Sequence, residues 1–539
     1  MAQFINTRDA LVTEAIDGAL RIAKGKLARL DGYPHIKVVV RSDWDKTKVA
    51  LVSGGGSGHE PAHAGFVGKG MLTAAVCGDV FASPSADAVL AGILAVTGDP
   101  GCLLIVKNYT GDRLNFGLAA ERARELGRKV SMVVVDDDVA LPDIAQPRGV
   151  AGTLFVHKIA GALAESGGDL DSVTTVANQV IGDVSSIGMS IDTCTVPGSA
   201  KEDRIGRGKA ELGLGIHGEP GVEQVEFEGA RRAMEMVVDR LAMGLGDGDH
   251  VALLNNLGGA TPLEMSVLTE ELCRSRIGAR ITHVVGPASL MTSLDMHGFS
   301  LSLLPVNAER LDAMKSSVGP IAWPGCQQVS EIEVLPMPEG MAPITYGASE
   351  NAAVRATIES GCSALKDAES VLNGLDAKSG DGDTGSTVAT AAVALMGALD
   401  RLPLADMPQL FRSIGSELSQ SMGGSSGVLL AIFFAAAGDA AESGNTVTAL
   451  RAGLDRIQNV GGAVPGDRTM IDALMPALEA LPRGLEAAAK AARRGADATS
   501  GITQAKAGRA SYVSAENLAG HNDPGAEAVA LLFEHLATR

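Results

Sequence analysis

The sequence predicts two fold classes on one chain, an α/β part followed by an all-α part. In the first part, short apolar runs alternate with helical patterns, and each run leads into polar or glycine-rich residues. This alternation is typical of an α/β fold with a largely parallel sheet. Beyond residue 348 the strand signal ends, and apolar residues recur at helical spacing instead. We therefore expect an α/β N-terminal part with largely parallel sheets, followed by a helical bundle.

The individual elements follow from the same patterns. The first part opens with a helical stripe over residues 10–30, and its strand candidates are 49–52, 102–106, 130–135, 251–254 and 281–285. The second part has helical patterns at 352–375, 386–399, 408–422, 427–440, 446–460, 469–481 and 485–498. A segment with three prolines and no helical stripe, EIEVLPMPEGMAPITYGAS, separates the two parts. We expect one domain at 1–335, made of two subdomains, and a second domain at 349–539, with residues 336–348 as the linker between them.

Composition excludes several classes of function. Lysine and arginine number 45 against 64 aspartates and glutamates, a net charge of −19, so binding to nucleic acid or to an anionic membrane is not expected. The six cysteines are scattered without a C-x-x-C pair, which favours reduced thiols. The first residues lack an apolar signal core, and the longest strongly apolar run, 428–437, is shorter than a membrane span. We expect a cytoplasmic protein without a membrane or nucleic-acid partner.

The most informative motif is SGGGSGHEP at 53–61, directly after a predicted strand. Glycines allow positive φ and a close approach of backbone N–H groups to a ligand, and His59 adds a titratable group. Ligands bind at the carboxyl ends of strands in open α/β sheets. A flexible connector with a surface histidine remains the alternative. The motif has a histidine where a dinucleotide fingerprint needs glycine.

Other strand ends supply further reactive side chains. Lys107 and Asp112 follow the strand candidate 102–106, and His217 lies in the glycine-rich run GLGIHG. That run formally matches GxGxxG, but Glu219-Pro220 follows where a helix would have to begin. Two histidines, one aspartate and one lysine at strand ends form a candidate acid/base set. His157, inside a helical pattern, is expected to be a core or rim histidine.

The helical part contains a turn with several carboxylates, LDAKSGDGDTG. Asp376, Asp381 and Asp383 can converge there, and hard carboxylate oxygens suit Mg²⁺. An EF-hand is excluded because its last position would fall on Thr387 or Ala392 rather than on glutamate. A helix N-cap turn remains the plain alternative.

Three more turns of the helical part could hold a nucleotide. They are the MGGSSG run with Gly424, Ser425 and Ser426, the GDRT run with Arg468, and the turn Asp523, Pro524 and Gly525. Each alone is ordinary capping or turn chemistry. Together, at helix ends of one bundle, they suggest a ring of loops around a nucleotide.

These motifs resemble the dihydroxyacetone kinase family over nearly the whole chain. GGGSGHEP, KNYTGD, GLGIHGEPG, NNLGG and SLDMHGFSLSLL are similar to its substrate-binding domain, and LDAKSGDGDTG, MGGSSG, GDRTMID, GRASY and HNDPGA to its nucleotide-binding domain. Both halves on one polypeptide resemble the ATP-dependent single-chain members. The resemblance implies a ketose-binding α/β domain and a helical barrel that binds ATP and Mg²⁺ and, in relatives, encloses a lipid.

The resemblance also implies roles for single residues. His217 would hold the ketone as a covalent hemiaminal, His59 would be the general base, and Asp112 would assist. The implied substrate contacts are Gly56, Ser57, Gly58, Lys107 and Asp112. The implied ATP contacts are Thr384, Gly385, Ser386, Thr387, Gly424, Ser425, Ser426, Arg468, Asp523, Pro524 and Gly525, with Asp376, Asp381 and Asp383 as Mg²⁺ ligands.

The expected activity is ATP-dependent phosphorylation of dihydroxyacetone or a similar short ketose. A tetrulose such as erythrulose is an alternative substrate, and cyclisation of FAD to FMN is an alternative activity seen in relatives. A ketose-sensing co-regulator is the non-enzymatic alternative, which the intact aspartate triad disfavours. The resemblance further implies a homodimer whose active sites are shared between chains.

Overall fold

The structure is a computed structural model that describes residues 3–141, 146–339, 341 and 345–538. The chain divides into two compact units, Met1–Glu333 and Val334–Arg539, and each is described here by itself. Residues 340 and 342–344 of the predicted linker 336–348 lie outside the described ranges.

The first unit begins with a six-stranded sheet. Its elements are α1 (Leu11–Ile22), β1 (Leu27–Arg29), β2 (Val38–Arg41), β3 (Ala50–Ser57), β4 (Ala74–Val80), α2 (Ala86–Val96), β5 (Cys102–Lys107), α3 (Thr110–Glu125) and β6 (Val130–Val135). The strand order is β1-β2-β4-β3-β5-β6, and β4, β3, β5 and β6 run parallel. The carboxyl ends of β3 and β5 therefore meet at one edge, as the sequence patterns predict.

The second sheet of this unit is mixed. Its elements are α4 (Thr153–Glu165), α5 (Leu170–Asp183), β7 (Ser185–Ser190), β8 (Lys209–Leu212), β9 (Glu223–Glu226), α6 (Ala230–Ala242), β10 (His250–Asn256), α7 (Pro262–Arg274), β11 (Ile281–Ala288), β12 (Gly298–Pro305), α8 (Ala308–Lys315) and β13 (Cys326–Gln328). The order is β13-β11-β10-β12-β7-β8-β9, in which β10 and β11 are parallel and the other pairs are antiparallel. Parallel pairing is thus concentrated in the first sheet.

The two sheets share one core. Side chains of α4 and α5 pack in the same cluster as residues of both sheets, including Leu51 and Ile105 from the first and Leu253 from the second. Helices α2 and α3 cover the outer face of the first sheet, and α6 and α7 that of the second. The unit is therefore layered as helix, sheet, helix, sheet, helix.

The second unit is helical. It contains α9 (Ala352–Asp367), α10 (Glu369–Ser379), α11 (Thr384–Ala398), α12 (Met407–Ser421), α13 (Gly424–Ala441), α14 (Thr446–Gly461), α15 (Ile471–Ala480), α16 (Leu485–Thr499), α17 (Ala515–Leu518) and α18 (Pro524–Ala537). Contacts run α9-α11-α12-α13-α14-α15-α16-α18 and return from α18 to α9, which closes a ring. The helical barrel expected from the resemblance is thus confirmed.

Three helix expectations differ from the structure. The predicted helix 352–375 is two helices that meet at Ala368, where no glycine or proline marks the break. Helix α18 was not predicted, although Asp523 caps it and Pro524 occupies its first turn. Helix α13 extends the apolar run 428–437 at both ends, and by length and composition alone it could cross a membrane, with a mean hydropathy of 1.5. Its Phe433 and Ala437 are buried among neighbouring helices.

Candidate active site

The glycines of the 53–61 motif continue strand β3 instead of forming a loop after it. Gly54 pairs with Val76 and Gly55 with Cys77 on β4, and the register shifts before Ser57. A Cβ on Gly54 would overlap the backbone carbonyl of Val76, so the close approach of the two strands requires glycine there. The predicted strand 49–52 therefore ends too early, because these glycines permit tight strand pairing.

His59 follows β3 and is fully buried. Its Nδ1 lies 2.8 Å from the carbonyl oxygen of Thr292. A carbonyl only accepts, so Nδ1 carries the proton and Nε2 presents a lone pair, which has no partner among the described residues. Burial, followed by the charge of Lys107, holds the pKa of His59 well below its usual value. The imidazole is therefore neutral and able to accept a proton.

His217 lies in the loop between β8 and β9, beside the ring of His59. The two ring centroids are 4.8 Å apart, and the ring of Tyr109 packs edge-on against His217 at 4.5 Å. Glu219 accepts a hydrogen bond from His217 Nδ1 at 3.2 Å and from its backbone N–H at 2.9 Å. Nε2 of His217 is thus the nitrogen with a free lone pair.

Glu219 is a functional candidate that the sequence reasoning missed. Burial would raise the pKa of Glu219, but the hydrogen bonds that it accepts from His217 outweigh it and lower the pKa to about 2. The carboxylate is thus ionised throughout the neutral range. The signal in the sequence is the spacing, since Glu219 lies two residues after His217. Glu219-Pro220 was interpreted only as evidence against a helix at this point.

Lys107 and Asp112 both lie beside Gly55. The position that a Cβ on Gly55 would take lies 3.5 Å from Asp112 Oδ2 and 3.6 Å from Lys107 Nζ, and Gly55 has a φ of +151°. Lys107 is fully buried, and burial lowers its pKa while the nearby carboxylates, first Asp112, raise it. Lys107 Nζ and Asp112 Oδ1 have no hydrogen-bond partner in the described part of the chain. Two complementary, unpaired polar groups at this edge suit a small polar ligand.

A cavity of about 410 Å³ opens at this point. It is lined by Gly56, Phe81, Ser83, Tyr109, Thr110, Gly111, Asp112, His217 and Glu219. Of the other expected substrate contacts, Ser57 donates its hydroxyl to the carbonyl of Gly78 and borders a second cavity. The backbone N–H of Gly58 donates to Glu60. The structure thus brings His59, His217, Lys107, Asp112 and Gly56 together and places Ser57 and Gly58 beside them.

The position of His59 depends on the second sheet. The side chain of Asn255, at the end of β10, accepts from the backbone N–H groups of Leu290 and Met291 and donates to the carbonyl of Met291. These bonds hold the loop that carries Thr292, and the carbonyl of Thr292 accepts the hydrogen bond from His59 Nδ1. The NNLGG motif therefore acts on the site through a loop and not by direct contact.

The three predicted metal ligands converge in the second unit. Carboxylate oxygens of Asp376, Asp381 and Asp383 lie within 4.8 Å of one another. Asp376 is buried, and its Oδ2 accepts from the backbone N–H groups of Gly382, Asp383 and Thr384 at 2.9–3.1 Å. One oxygen of Asp376 thus acts as expected of a capping turn. Asp383, at the start of α11, accepts no capping hydrogen bond. Oxygen ligands of this kind fit Mg²⁺.

Arg509 is a second residue that the site reasoning missed. It forms an ion pair with Asp381 and lies 4.0 Å from Asp383. In the sequence, its GRASY motif contributes only to the resemblance to the family. A guanidinium next to these three carboxylates offers a positive charge for phosphate groups.

The expected nucleotide contacts differ in their exposure and in whether their side chains already make hydrogen bonds. Ser425 and Ser426 are exposed at the start of α13, which has no side-chain cap. Ser386, by contrast, donates to Glu369 and accepts from Asn373, and Gly385 packs closely against the backbone of Glu369. Thr384 and Thr387 lie in the first turn of α11 and are half-buried.

The GDRT and DPG turns meet each other. Arg468 is buried and donates to the carbonyl of His521, while its Nε and Nη1 have no partner within the described ranges. Asp523 caps α18 through the N–H of Ala526, and burial raises its pKa to about 6. Gly525 lies against Met470, so these two loops form one continuous surface.

Comparisons with known proteins agree with this arrangement. A Dak1 domain model matches residues 19–321 and a DAK2 domain model matches 378–538. A dihydroxyacetone kinase of Citrobacter freundii is 50% identical over 99% of this chain and 98% of its own length. A human triokinase/FMN cyclase is 39% identical over 98% of both chains.

A solved structure gives the same result. The crystal structure of the dihydroxyacetone kinase from C. freundii in complex with AMP-PNP and Mg²⁺ matches with a TM-score of 0.68 and 47% identity, covering 100% of this chain and 99% of that one. The chain described here therefore belongs to the dihydroxyacetone kinase family, with both family domains on one polypeptide.

Proposed function

We propose that this protein transfers the γ-phosphoryl group of ATP to a terminal hydroxyl of dihydroxyacetone or a closely related short ketose. The observation that carries the proposal is the pair of adjacent imidazoles, His59 and His217, each with an unprotonated Nε2, next to a cavity of about 410 Å³ that is lined by His217 and Asp112. Such a set can hold a carbonyl and take a hydroxyl proton in the same place.

The ketone would be held covalently on His217. The lone pair of Nε2 forms a bond to the carbonyl carbon, the π bond breaks, and the carbonyl oxygen takes a proton from solvent water. The ring loses its Nδ1 proton, which Glu219 is placed to accept because its carboxylate is 3.2 Å away. The product is a hemiaminal, which polyols without a carbonyl cannot form, so this residue selects ketoses over glycerol.

The terminal hydroxyl would then be activated by His59. Its Nε2 takes the hydroxyl proton, the hydroxyl oxygen bonds to the γ-phosphorus, and the bond to the β-phosphate oxygen breaks. Lys107 and Asp112 orient the substrate. Positioning and charge neutralisation provide most of the catalysis in phosphoryl transfer.

The second unit would supply the nucleotide. Asp376, Asp381 and Asp383 would hold Mg²⁺, which neutralises phosphate charge when bound. Arg509 and the free N–H groups at the start of α13 would contact phosphate oxygens. The contact surface formed by the GDRT and DPG turns would take the remainder of the nucleotide. A homodimer with shared active sites and a cytoplasmic location remain parts of the proposal.

A substrate screen tests the proposal. Purified protein is incubated with ATP, Mg²⁺ and one of dihydroxyacetone, erythrulose, glyceraldehyde or glycerol, and ADP release is measured together with the mass of the product. We expect phosphorylation of the short ketoses and little of glycerol. ADP release that is independent of every ketose, or conversion of FAD to FMN without any ketose kinase activity, would contradict it.

A further inference from the structure

A second buried histidine pair lies on the same sheet face as Lys107. His63 follows β3, His157 lies on α4, and their ring centroids are 5.2 Å apart. Both side chains are buried, and both contact the hydroxyl of Ser53. The proposed reaction uses neither of them.

The hydrogen bonds of Ser53 determine which nitrogen of each ring carries a proton. The Ser53 hydroxyl donates its single proton to the carbonyl of Ile105 at 2.7 Å. Toward the histidines it can only accept, from His157 Nε2 at 3.2 Å and from His63 Nδ1 at 3.4 Å. Nδ1 of His157 and Nε2 of His63 therefore present lone pairs, and neither atom has a partner in the part of the chain that the structure describes.

Sheet register places Ser53, which both histidines contact, on the same sheet face as Lys107. Ser53 is paired with Ile105 across β3 and β5. Gly55 and Lys107 each lie two residues further along their strands on the same face, about 6.6 Å away. Lys107 Nζ has three N–H donors and no partner among the described residues, so two acceptors and one cation are left unsatisfied in one buried region.

A cavity lies beside this group of atoms. His63 and Gly55 both border the second cavity of the unit, which has a volume of about 380 Å³. A buried water typically makes about three hydrogen bonds to groups that otherwise have no partner. Leaving such groups unpaired is unfavourable, which favours a water that pairs them.

We propose that His63 and His157 are positioning residues for Lys107, and that they hold its ammonium group through an internal water that accepts from Nζ and donates to their lone pairs. The negative charge of Asp112 favours the charged lysine, and an N–H of Lys107 remains available for a substrate oxygen. The expected effects on substrate binding and on the pH profile rest on the proposed function, whereas the expected water and its hydrogen bonds do not.

The charged and titratable groups around Lys107 agree with this role. They are Asp112 on α3, Asp137 after β6, Glu219 and His217 in the β8–β9 loop, His59 and His63 after β3, and His157 on α4. The carboxylates favour the charged lysine. Burial, then the charge of Lys107, lowers the pKa of His157 to about 3, so the pair stays neutral and keeps its lone pairs. Loss of an acceptor removes support from the charged lysine and lowers its pKa further.

Amide substitutions separate this role from simple packing. Glutamine can replace the outer nitrogen of a histidine, and asparagine the inner one. His63→Gln and His157→Asn therefore keep the acceptor that faces the lysine, whereas His63→Asn and His157→Gln keep only the donor to Ser53. We expect the acceptor-keeping variants to bind dihydroxyacetone within a few-fold of wild type, and the donor-keeping variants to bind about tenfold or more weakly.

The pH profile adds a readout that packing would not change. In the donor-keeping variants the alkaline limb of kcat/KM should move to lower pH, because Lys107 loses its proton more readily. The opposite order, in which only the acceptor-keeping variants lose affinity, would show that the pair merely anchors Ser53 and would overturn the proposal. So would native affinity and an unshifted limb in all four folded variants.

A crystal structure of the wild-type protein decides the case if the variants do not fold. We expect a water within hydrogen-bond distance of Lys107 Nζ and of at least one imidazole lone pair. A dry gap with no such water would overturn the proposal. If the wild-type protein binds and phosphorylates no short ketose, the proposed function fails, while this water still decides the present inference.

Discussion

His59 and His217 lie edge to face with ring centroids 4.8 Å apart, although one follows a strand of the first sheet and the other lies in a loop of the second. Each has its Nδ1 proton held by a different acceptor, Thr292 for His59 and Glu219 for His217. Two imidazoles with free Nε2 atoms thus share one site while their surroundings give them different tasks.

Substitution of each histidine should separate those tasks. His217→Ala should raise KM and weaken discrimination against glycerol, with turnover retained at high substrate. His59→Ala should lower kcat by about 10²–10⁴-fold, the usual contribution of a general base. Intact-mass measurement should find the ketose adduct in His59→Ala and not in His217→Ala. An adduct on His59, or none on either residue under saturating ketose, contradicts this division.

Glu219→Gln should impair adduct formation without disturbing His59. A glutamine can donate to Nδ1 of His217, which favours the tautomer whose proton is on Nε2 and removes the nucleophilic lone pair. We expect a slower approach to the adduct, measured by mass spectrometry over time, and a higher KM. Glu223→Gln, an exposed change on β9, is the matched control. Wild-type adduct kinetics in Glu219→Gln would remove this residue from the mechanism.

Asp381→Ala and Asp383→Ala should each reduce kinase activity by about 100-fold or more, because loss of metal-borne charge neutralisation is worth several kcal/mol. Both side chains are exposed, so the melting temperature should change little. Asp400→Ala removes an exposed carboxylate elsewhere in the same unit and should leave activity unchanged. Turnover near wild type in either triad variant would rule out the metal assignment.

Asp523 should make stability depend on pH. Its folded-state pKa is raised to about 6, chiefly by burial, from the 3.8 that is usual for an aspartate. Between these values the folded state binds more protons than the unfolded state, so the free energy of unfolding falls as pH rises, by up to about 1.4 kcal/mol per unit. Denaturant melts at pH 4 and pH 6 should show this fall in the wild-type protein and a smaller one in Asp523→Asn. Identical pH dependence in both proteins would refute it.

Mixed dimers test the shared active site. Chains with His217→Ala and chains with Asp381→Ala are each defective in one unit only. If the helical unit of one chain serves the α/β unit of another, co-expression should restore part of the activity. Wild-type chains diluted with a doubly substituted chain provide the reference for subunit exchange. Failure to recover activity in fully exchanged dimers would argue against the crossed arrangement.

Motifs at strand ends were readable because a parallel sheet collects them at one edge. This holds for His59, Lys107 and Asp112, whose strands were predicted from apolar runs. The aspartate triad was readable for a different reason, since a short turn brings together residues that are close in sequence. In both cases local pattern and tertiary position coincide.

The missed features depend on contacts between distant segments. Asn255 orders the loop that carries Thr292, and Thr292 in turn sets the tautomer of His59, so neither role is visible in a short motif. Arg509 reaches the aspartate triad from more than a hundred residues away. Several strands of the second sheet were also missed; β9, for example, is short and largely exposed and lacks an apolar run.

The β8–β9 hairpin that carries His217 sits at the outer edge of its sheet and is joined to β7 by two residue pairs, Met189 with Leu212 and Ser190 with Glu211. So few ladder contacts place it among the segments that open before the rest of a domain unfolds. The covalent chemistry of the site should therefore fail under mild denaturant while the central strands remain intact. In this protein, inactivation would measure the local opening of the β8–β9 hairpin, and protease cleavage within the hairpin should show the same dependence on denaturant concentration.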